Sequence, residues 1–234
     1  MKELSDKRII AAWEENVQPW IAAIENNEIQ SRVLVTNQAI INAVTERRPT
    51  KVLDLGCGEA WLVRELVESD IDVLGVDAVP EFIASAQQHN VGRYKVIAYE
   101  DLSYDVLQET FDVIVCNFSL IGEQAVSNLF QQIPALLNEG GAFLVQTIHP
   151  LTECGDDEYA DGWREGSWVG FSDKFNKPAP WYFRTIDSWK SLFEKSGFSL
   201  IDIREPLNTT TNAAASIIFI AEVNKQRQKS AKGE

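Results

Sequence analysis

Asp54, Gly56, Gly58 and Asp77 are the residues whose types and spacing can do recognisable chemistry. Lys51-Val-Leu-Asp-Leu-Gly-Cys-Gly58 reads as an apolar strand running into a glycine turn, and Asp72-Val-Leu-Gly-Val-Asp77 as a second apolar strand ending in an acid. Glycine has no Cβ, so a backbone carrying Gly56 and Gly58 can turn sharply and approach a ligand. An acid about twenty residues beyond such glycines has the offset of a carboxylate that binds ribose hydroxyls. Asp54 ends its strand where the carboxyl edge of a parallel sheet opens into a crevice. This is the layout of a nucleotide-type cofactor site. A dinucleotide site asks for a third glycine three residues after Gly58, where a helix packs over a pyrophosphate. Trp61 stands there instead and points to a ligand without a pyrophosphate. Plainer readings exist for these residues too: Asp77 suits the cap of a helix beginning near Pro80, and Trp61 suits packing under its own helix.

The elements that must position these residues follow from apolar periodicity. Residues 1–48 are helical in pattern, with Trp13, Val17, Trp20, Ile21 and Ile24, then Val33, Ile40, Ile41 and Val44, at steps of three and four. Strands are predicted near 51–55, 71–77, 94–98, 111–117 and 142–148, alternating with helices. Val126, Leu129, Phe130, Ile133, Leu136 and Leu137 line one helix, which Pro134 should kink or divide and Gly140-Gly141 should end. Such alternation means right-handed crossovers, a parallel sheet and helices on both faces. Thr185 should cap a helix that stops at Gly197. Phe198–Arg204 and Ala215–Val223 have no helix between them, so they should pair antiparallel.

Residues 149–184 are too many for an ordinary connection and hold Tyr159, Trp163, Trp168, Phe171, Phe175, Trp181, Tyr182 and Phe183. The expectation is a lid or substrate wall at the carboxyl edge of the sheet; the plainer reading is a satellite aromatic cluster that pins the loop. One domain is expected over 1–223, followed by a polar, frayed tail over 224–234.

Asp54-Leu-Gly-Cys-Gly58 with Val76-Asp77 resembles the first two motifs of class I S-adenosylmethionine-dependent methyltransferases. Phe111-Asp-Val-Ile-Val-Cys-Asn117 resembles the fourth strand of that family, and Leu136-Leu-Asn-Glu-Gly-Gly-Ala-Phe-Leu-Val145 the helix, turn and strand after it. The resemblance covers about residues 50–150. It implies a doubly wound, mostly parallel Rossmann-like α/β sheet of seven strands, the last inserted antiparallel.

It further implies methyl transfer from S-adenosylmethionine by in-line displacement, in which holding the reacting atoms in line supplies most of the rate. On the same basis Asp54, Gly56 and Gly58 lie along the methionine portion of the cofactor and Asp77 takes the ribose. Ala78 and Val79 lie beside the adenine, and Glu100 or Asp101 receives its amino group. Asn117, Phe118 and Ser119 meet the methionine amine, with strand-end capping the alternative for Ser119. Arg32 could pair with the methionine carboxylate or be a solvated surface arginine. A base is required only for an acceptor protonated at neutral pH. His149, at the end of the fifth strand, is one candidate, although His149-Pro150 also reads as a strand-ending turn. Tyr182, with Arg184, resembles the substrate side of small-molecule methyltransferases. His89 should be exposed.

Composition narrows the partners. A net charge of −14 lacks the basic footprint of nucleic-acid binding, the run Lys225–Lys232 aside. The acceptor is therefore expected to be a small molecule, with a basic peptide the alternative. Cys57, Cys116 and Cys154 show neither a metal-ligand pattern nor a disulfide framework, so no metal is expected. No apolar run reaches the roughly 18 residues of a membrane span, and no signal-peptide core is visible, which sets the expectation of a cytoplasmic protein without membrane partners. A nicotinamide-dependent oxidoreductase and a non-catalytic S-adenosylmethionine-binding protein are the competing readings. Oligomeric state and acceptor atom are left open.

Overall fold

Apolar residues at every position of a strand require cover on both faces, and the central strands of this chain have it. The computed structural model describes residues 4–155 and 157–224. All but the first residue of the tail expected at 224–234 lies outside the described residues. Helix α1 (Asp6–Glu25) leads to a π-helical turn, Arg32–Thr36, that runs directly into α2 (Asn37–Thr45). The alternating portion follows as β1 (Lys51–Leu55), α3 (Trp61–Val67), β2 (Asp72–Asp77), α4 (Pro80–Gln87), β3 (Arg93–Val96), the short α5 (Tyr104–Leu107), β4 (Phe111–Asn117), α6 (Gln124–Leu136) and β5 (Leu137–Thr147). After it come α7 (Pro150–Glu153), a hairpin of β6 (Gly162–Arg164) and β7 (Trp181–Phe183), then α8 (Ile186–Lys195) and β8 (Phe198–Arg204). A small ribbon, β9 (Leu207–Asn208) with β10 (Ala213–Ala214), precedes β11 (Ile217–Val223).

The main sheet has seven strands in the order β3-β2-β1-β4-β5-β11-β8. The pairs from β3 to β5 are parallel, and β11 runs antiparallel to both β5 and β8. The two-residue period of the strands sorts the core. Leu53, Leu55, Val76, Ile114 and Cys116 pack with Leu129, Phe130 and Ile133 of α6 and with Trp189 and Phe193 of α8. Val52, Val73, Val113 and Val115 pack on the opposite face with Ile40 and Val44 of α2, Leu62 and Leu66 of α3, and Ile83 of α4. The carboxyl ends of β1, β2 and β4 thus open to one edge between two helix layers.

One local expectation fails. Pro134 does not divide α6, which stops two residues after it at Leu136 and passes straight into β5. Gly140 and Gly141 therefore sit inside β5, not at a helix end. The strand is held there because Asn138 donates to Asp112 Oδ1 (2.7 Å) and accepts from Thr110, and the β4–β5 register shifts across Phe111 and Val113. Gly140, with φ +77°, supplies the bend.

Thr185 caps α8 as its residue type predicts, its Oγ1 accepting from Ser188 N at 3.1 Å. No helix among the described residues is long and apolar enough to cross a membrane.

Candidate functional site

A cavity of about 230 Å³ opens at the carboxyl ends of β1, β2 and β4. Its inner wall is a loop whose shape is dictated by hydrogen bonds from the neighbouring strand. Gly56 N and Cys57 N both donate to Val76 O (2.8 and 3.0 Å), folding the turn back over β2. Gly56 (φ +71°) and Gly58 (φ +56°) take left-handed conformations. A Cβ on Gly56 would lie 2.5 Å from Ser119 Cβ and 2.7 Å from the Tyr99 hydroxyl, so the turn tolerates no side chain there. Asp77 locks the turn from below: Oδ2 accepts from Gly58 N and Oδ1 from Val79 N, both at 2.9 Å. The carboxylate thus braces its own loop while retaining a free lone pair on each oxygen. Burial raises its pKa, and the backbone donors oppose that shift.

β4 contributes the floor. Phe118 sits at φ +54°, a left-handed conformation that costs an aromatic residue energy and is found mainly where function or packing demands it. Its N–H donates to Gln146 O (2.8 Å). Ser119 Oγ donates to Leu55 O (2.7 Å) and the Tyr99 hydroxyl to Ser119 O (3.3 Å), stitching the ends of β1 and β4 together. Burial pushes the Tyr99 phenol well above its usual range.

A buried charge cluster closes one end. Arg32, on the π-helical turn, lies with its guanidinium 5.0 Å from the Trp61 ring centre and 5.8 Å from that of Trp20. Its Nε donates to Asn37 Oδ1 (3.3 Å), and its Nη2 is buried without a partner. Glu59 is buried nearby and raised in pKa by desolvation, with Arg32 and Arg64 opposing. π-helical turns recur at functional positions because the extra residue re-aims side chains.

The outer wall is α1, which offers Asp6, Lys7, Ile9, Ile10, Trp13 and Trp20. Asp6 accepts from Glu123 N, Gln124 N and Ala125 N at 2.7, 3.0 and 3.0 Å, capping α6 across the cavity mouth. Gly122 leaves room for it, since a Cβ there would stand 2.4 Å from Asp6 Oδ1. The aromatic insertion holds α1 from outside: Trp168 meets Trp13 at 5.8 Å and Phe171 meets Trp20 at 6.5 Å. Asn16 accepts from Asn176 N (2.7 Å) and donates to Lys177 O (3.2 Å).

Of the residues singled out by sequence, Arg32, Gly56, Gly58, Asp77, Ala78, Val79, Glu100, Asn117, Phe118 and Ser119 line this cavity. The surface reading of Arg32 is wrong, since it is buried, and Trp61 both lines the cavity and packs against the core cluster that holds Leu62 and Val63.

Five expectations need correction. Asp54 lies under the glycine turn with Oδ2 buried and unpartnered, outside the lining, and burial followed by Glu59 and Asp77 pushes its pKa up to about 8. Asp101 is exposed and outside the lining, which leaves Glu100 of that pair. His149 lies past the end of β5, at the cap of α7, and is buried but outside the lining, its Nε2 3.2 Å from Glu205 Oε1. Tyr182 lines a smaller neighbouring cavity of about 40 Å³, bounded by Phe118, Ile121, Trp181 and Trp189. No described residue of 149–184 lines the main cavity; α1 is its wall and the insertion is the brace behind α1. His89 is exposed, as expected. The residues missed by sequence reasoning are Asp6, Glu59, Tyr99 and the α1 aromatics. Trp13 and Trp20 were visible only as a helical stripe.

Among the described residues no cluster of three or more His, Cys, Asp or Glu side chains could hold a metal ion.

The geometry has counterparts. A family model described as a methyltransferase domain matches residues 29–203. An uncharacterized methyltransferase of Schizosaccharomyces pombe is 28% identical over 167 residues, covering 68% of this chain and 63% of the relative. A ubiquinone biosynthesis O-methyltransferase of Methylococcus capsulatus is 26% identical over 113 residues, 47% of this chain and 48% of the relative. The chain thus spans between about half and two thirds of the length of these curated relatives. Among solved structures, an S-adenosylmethionine-dependent methyltransferase from Mesorhizobium loti superposes with a TM-score of 0.59 at 22% identity, over 76% of this chain and 95% of the other. One from Clostridium acetobutylicum gives 0.60 at 15%, over 79% and 89%. At such identities the superpositions establish a shared fold.

Proposed function

The chain belongs to the class I S-adenosylmethionine-dependent methyltransferases, and from that premise we propose that it moves a methyl group from this cofactor to a small-molecule acceptor in the cavity between β4 and α1. The observation that carries the reading is the Gly56 turn. It admits no Cβ, is braced by Asp77, and faces a buried guanidinium with an unpartnered Nη2. These residues fit the cofactor's parts. Arg32 offers a donor to a carboxylate, the buried acids Glu59 and Asp77 suit positive charge and ribose, and Gly56 leaves room for close approach. Trp61 fills the place where a pyrophosphate site keeps a glycine, which weighs against a nicotinamide dinucleotide.

When bound, S-adenosylmethionine supplies a methyl group already activated on a sulfonium. The work left to the chain is to orient, to exclude water and to receive an acceptor. Ile9, Ile10, Trp13, Phe82, Phe118 and Ile121 give the rest of the cavity an apolar, partly aromatic wall. That wall favours an apolar or planar small molecule over a hydrated peptide, in keeping with relatives named as ubiquinone biosynthesis O-methyltransferases. His149 has no line to the cavity and is not the base, and the proposed chemistry rests chiefly on positioning.

Calorimetric titration with S-adenosylhomocysteine, with NAD in parallel, tests the reading. Micromolar binding of S-adenosylhomocysteine alone is expected; binding of NAD alone, or of neither, would overturn it. A radiolabelled methyl-transfer screen over phenols, carboxylates and amines then separates an enzyme from a protein that only binds the cofactor.

A further inference from the structure

Gln146, on β5, is only 1% exposed yet hydrogen-bonds through both atoms of its side-chain amide. Its Nε2 donates to Thr36 O (3.1 Å) and to Asn117 Oδ1 (2.7 Å), while its Oε1 accepts from Ser216 Oγ (3.4 Å). Its own carbonyl accepts from Phe118 N, the residue held at φ +54°. One buried amide therefore touches two of the segments that put polar groups on the cavity. Thr36 is the last residue of the π-helical turn that starts at Arg32, and Asn117 lines the cavity itself.

The chain of amides has a forced polarity. A peptide carbonyl only accepts, so the nitrogen of Gln146 must face Thr36 O, whichever way an amide might otherwise be turned. That same nitrogen then donates to Asn117, so Asn117 must turn its oxygen toward Gln146. Its NH₂ group is left to face the other way. The Thr36 carbonyl thus dictates, through two side chains, that Asn117 presents a hydrogen-bond donor. Arg32 presents the second, its buried and unpartnered Nη2.

We propose that Gln146 is a positioning residue that fixes Asn117 as a donor and anchors the Arg32 turn, so that together they receive the carboxylate of the cofactor's amino-acid end. This rests on the cofactor assignment above. Donor groups select an anionic oxygen and would repel an ammonium, so the Gln146-held pair suits the carboxylate, while the acid Glu59 beside Arg32 suits the amine.

The test compares two probes that differ only in this moiety's presence. S-Adenosylhomocysteine carries it; 5′-methylthioadenosine lacks both its amine and its carboxylate. Asn117→Asp keeps the shape and the bond from Gln146 but replaces the donor with an acceptor. Gln146→Leu keeps the bulk and removes the relay. Each is expected to weaken S-adenosylhomocysteine about tenfold or more, the scale of one hydrogen bond to a charged group, with 5′-methylthioadenosine unchanged within about twofold. A merely structural role would weaken both probes alike, and that result overturns the proposal. So does an Asn117→Asp protein that binds S-adenosylhomocysteine as well as, or better than, the parent. Should Gln146→Leu fail to fold, Asn117→Asp alone decides. If the parent protein binds neither probe, the cofactor assignment fails and the relay has no carboxylate to serve.

Discussion

The inner and outer walls of the cavity are built from different materials. Along the inner wall, the ends of β1, β2 and β4 are held mainly by main-chain bonds, Gly56 and Cys57 to Val76 and Phe118 to Gln146, with the Asp77 carboxylate accepting from Gly58 N. The outer wall is α1, held among the described residues through side chains: Asp6 over the start of α6, Asn16 against residues 176 and 177, and tryptophans resting on the aromatic insertion. A main-chain lattice permits little variation in shape, which suits a cofactor whose geometry never changes. A wall hung on side chains can be repacked or lifted, which suits entry of ligands and choice of acceptor.

The contrast can be broken, and the sharpest blow falls on the inner wall. Gly56→Ala forces a side chain into a left-handed position 2.5 Å from Ser119 Cβ. It is expected to cost about 2–4 kcal/mol of stability through strain and overpacking together, and to abolish S-adenosylhomocysteine binding. Thermal melting and calorimetry read the two effects. A stable, binding-competent variant would mean that the inner wall is as adaptable as the outer one.

Asp54 tests the same wall by pH. Its folded-state pKa is raised to about 8, so between the ordinary carboxylate range and that value the native state holds a proton that the unfolded chain releases. Stability from this group is therefore full below the ordinary range and falls as pH rises through the window, with a limiting slope of about 1.4 kcal/mol per pH unit. Asp54→Asn should flatten the slope when melts are recorded on both sides of the window. An unchanged slope would place the titrating proton elsewhere.

The smallest effect is expected on the outer wall. Asp6→Ala leaves the first N–H groups of α6 uncapped and should cost about 1–2 kcal/mol. Amide exchange should quicken along α1 while β1 and β4 keep their protection. Equal loosening of both would erase the distinction between the walls.

Sequence spacing revealed the inner wall because its partners are close along the chain. Gly58 and Asp77 are 19 residues apart, within one strand-helix-strand unit, and glycine, acid and apolar run each have a type-specific reason to be there. The outer wall was not legible. Trp13 and Trp20 carry no signal beyond a helical stripe, and Asp6 looks like any acid near a helix start until α6 is placed against it. Arg32 and His149 show the same limit from opposite sides. One reads as surface and is buried at the cavity; the other reads as edge and is buried away from it. Facing depends on the register of a single residue, which composition does not carry. Gly140-Gly141 failed for a related reason: a glycine pair marks a bend without saying whether a helix or a strand does the bending.

The span of those outer contacts has a temporal consequence. Asp6 meets its partner 117 residues downstream and Asn16 meets Lys177 across 161. During synthesis α1 leaves the ribosome ahead of the sheet, yet four of the seven strands must follow before the Asp6 anchor exists and five before that of Asn16. Closing so long a loop is entropically costly until the intervening elements have folded. A helix made before the sheet therefore finds its place only after most of the strands, and the cofactor-binding face of the nascent domain stands open while it waits.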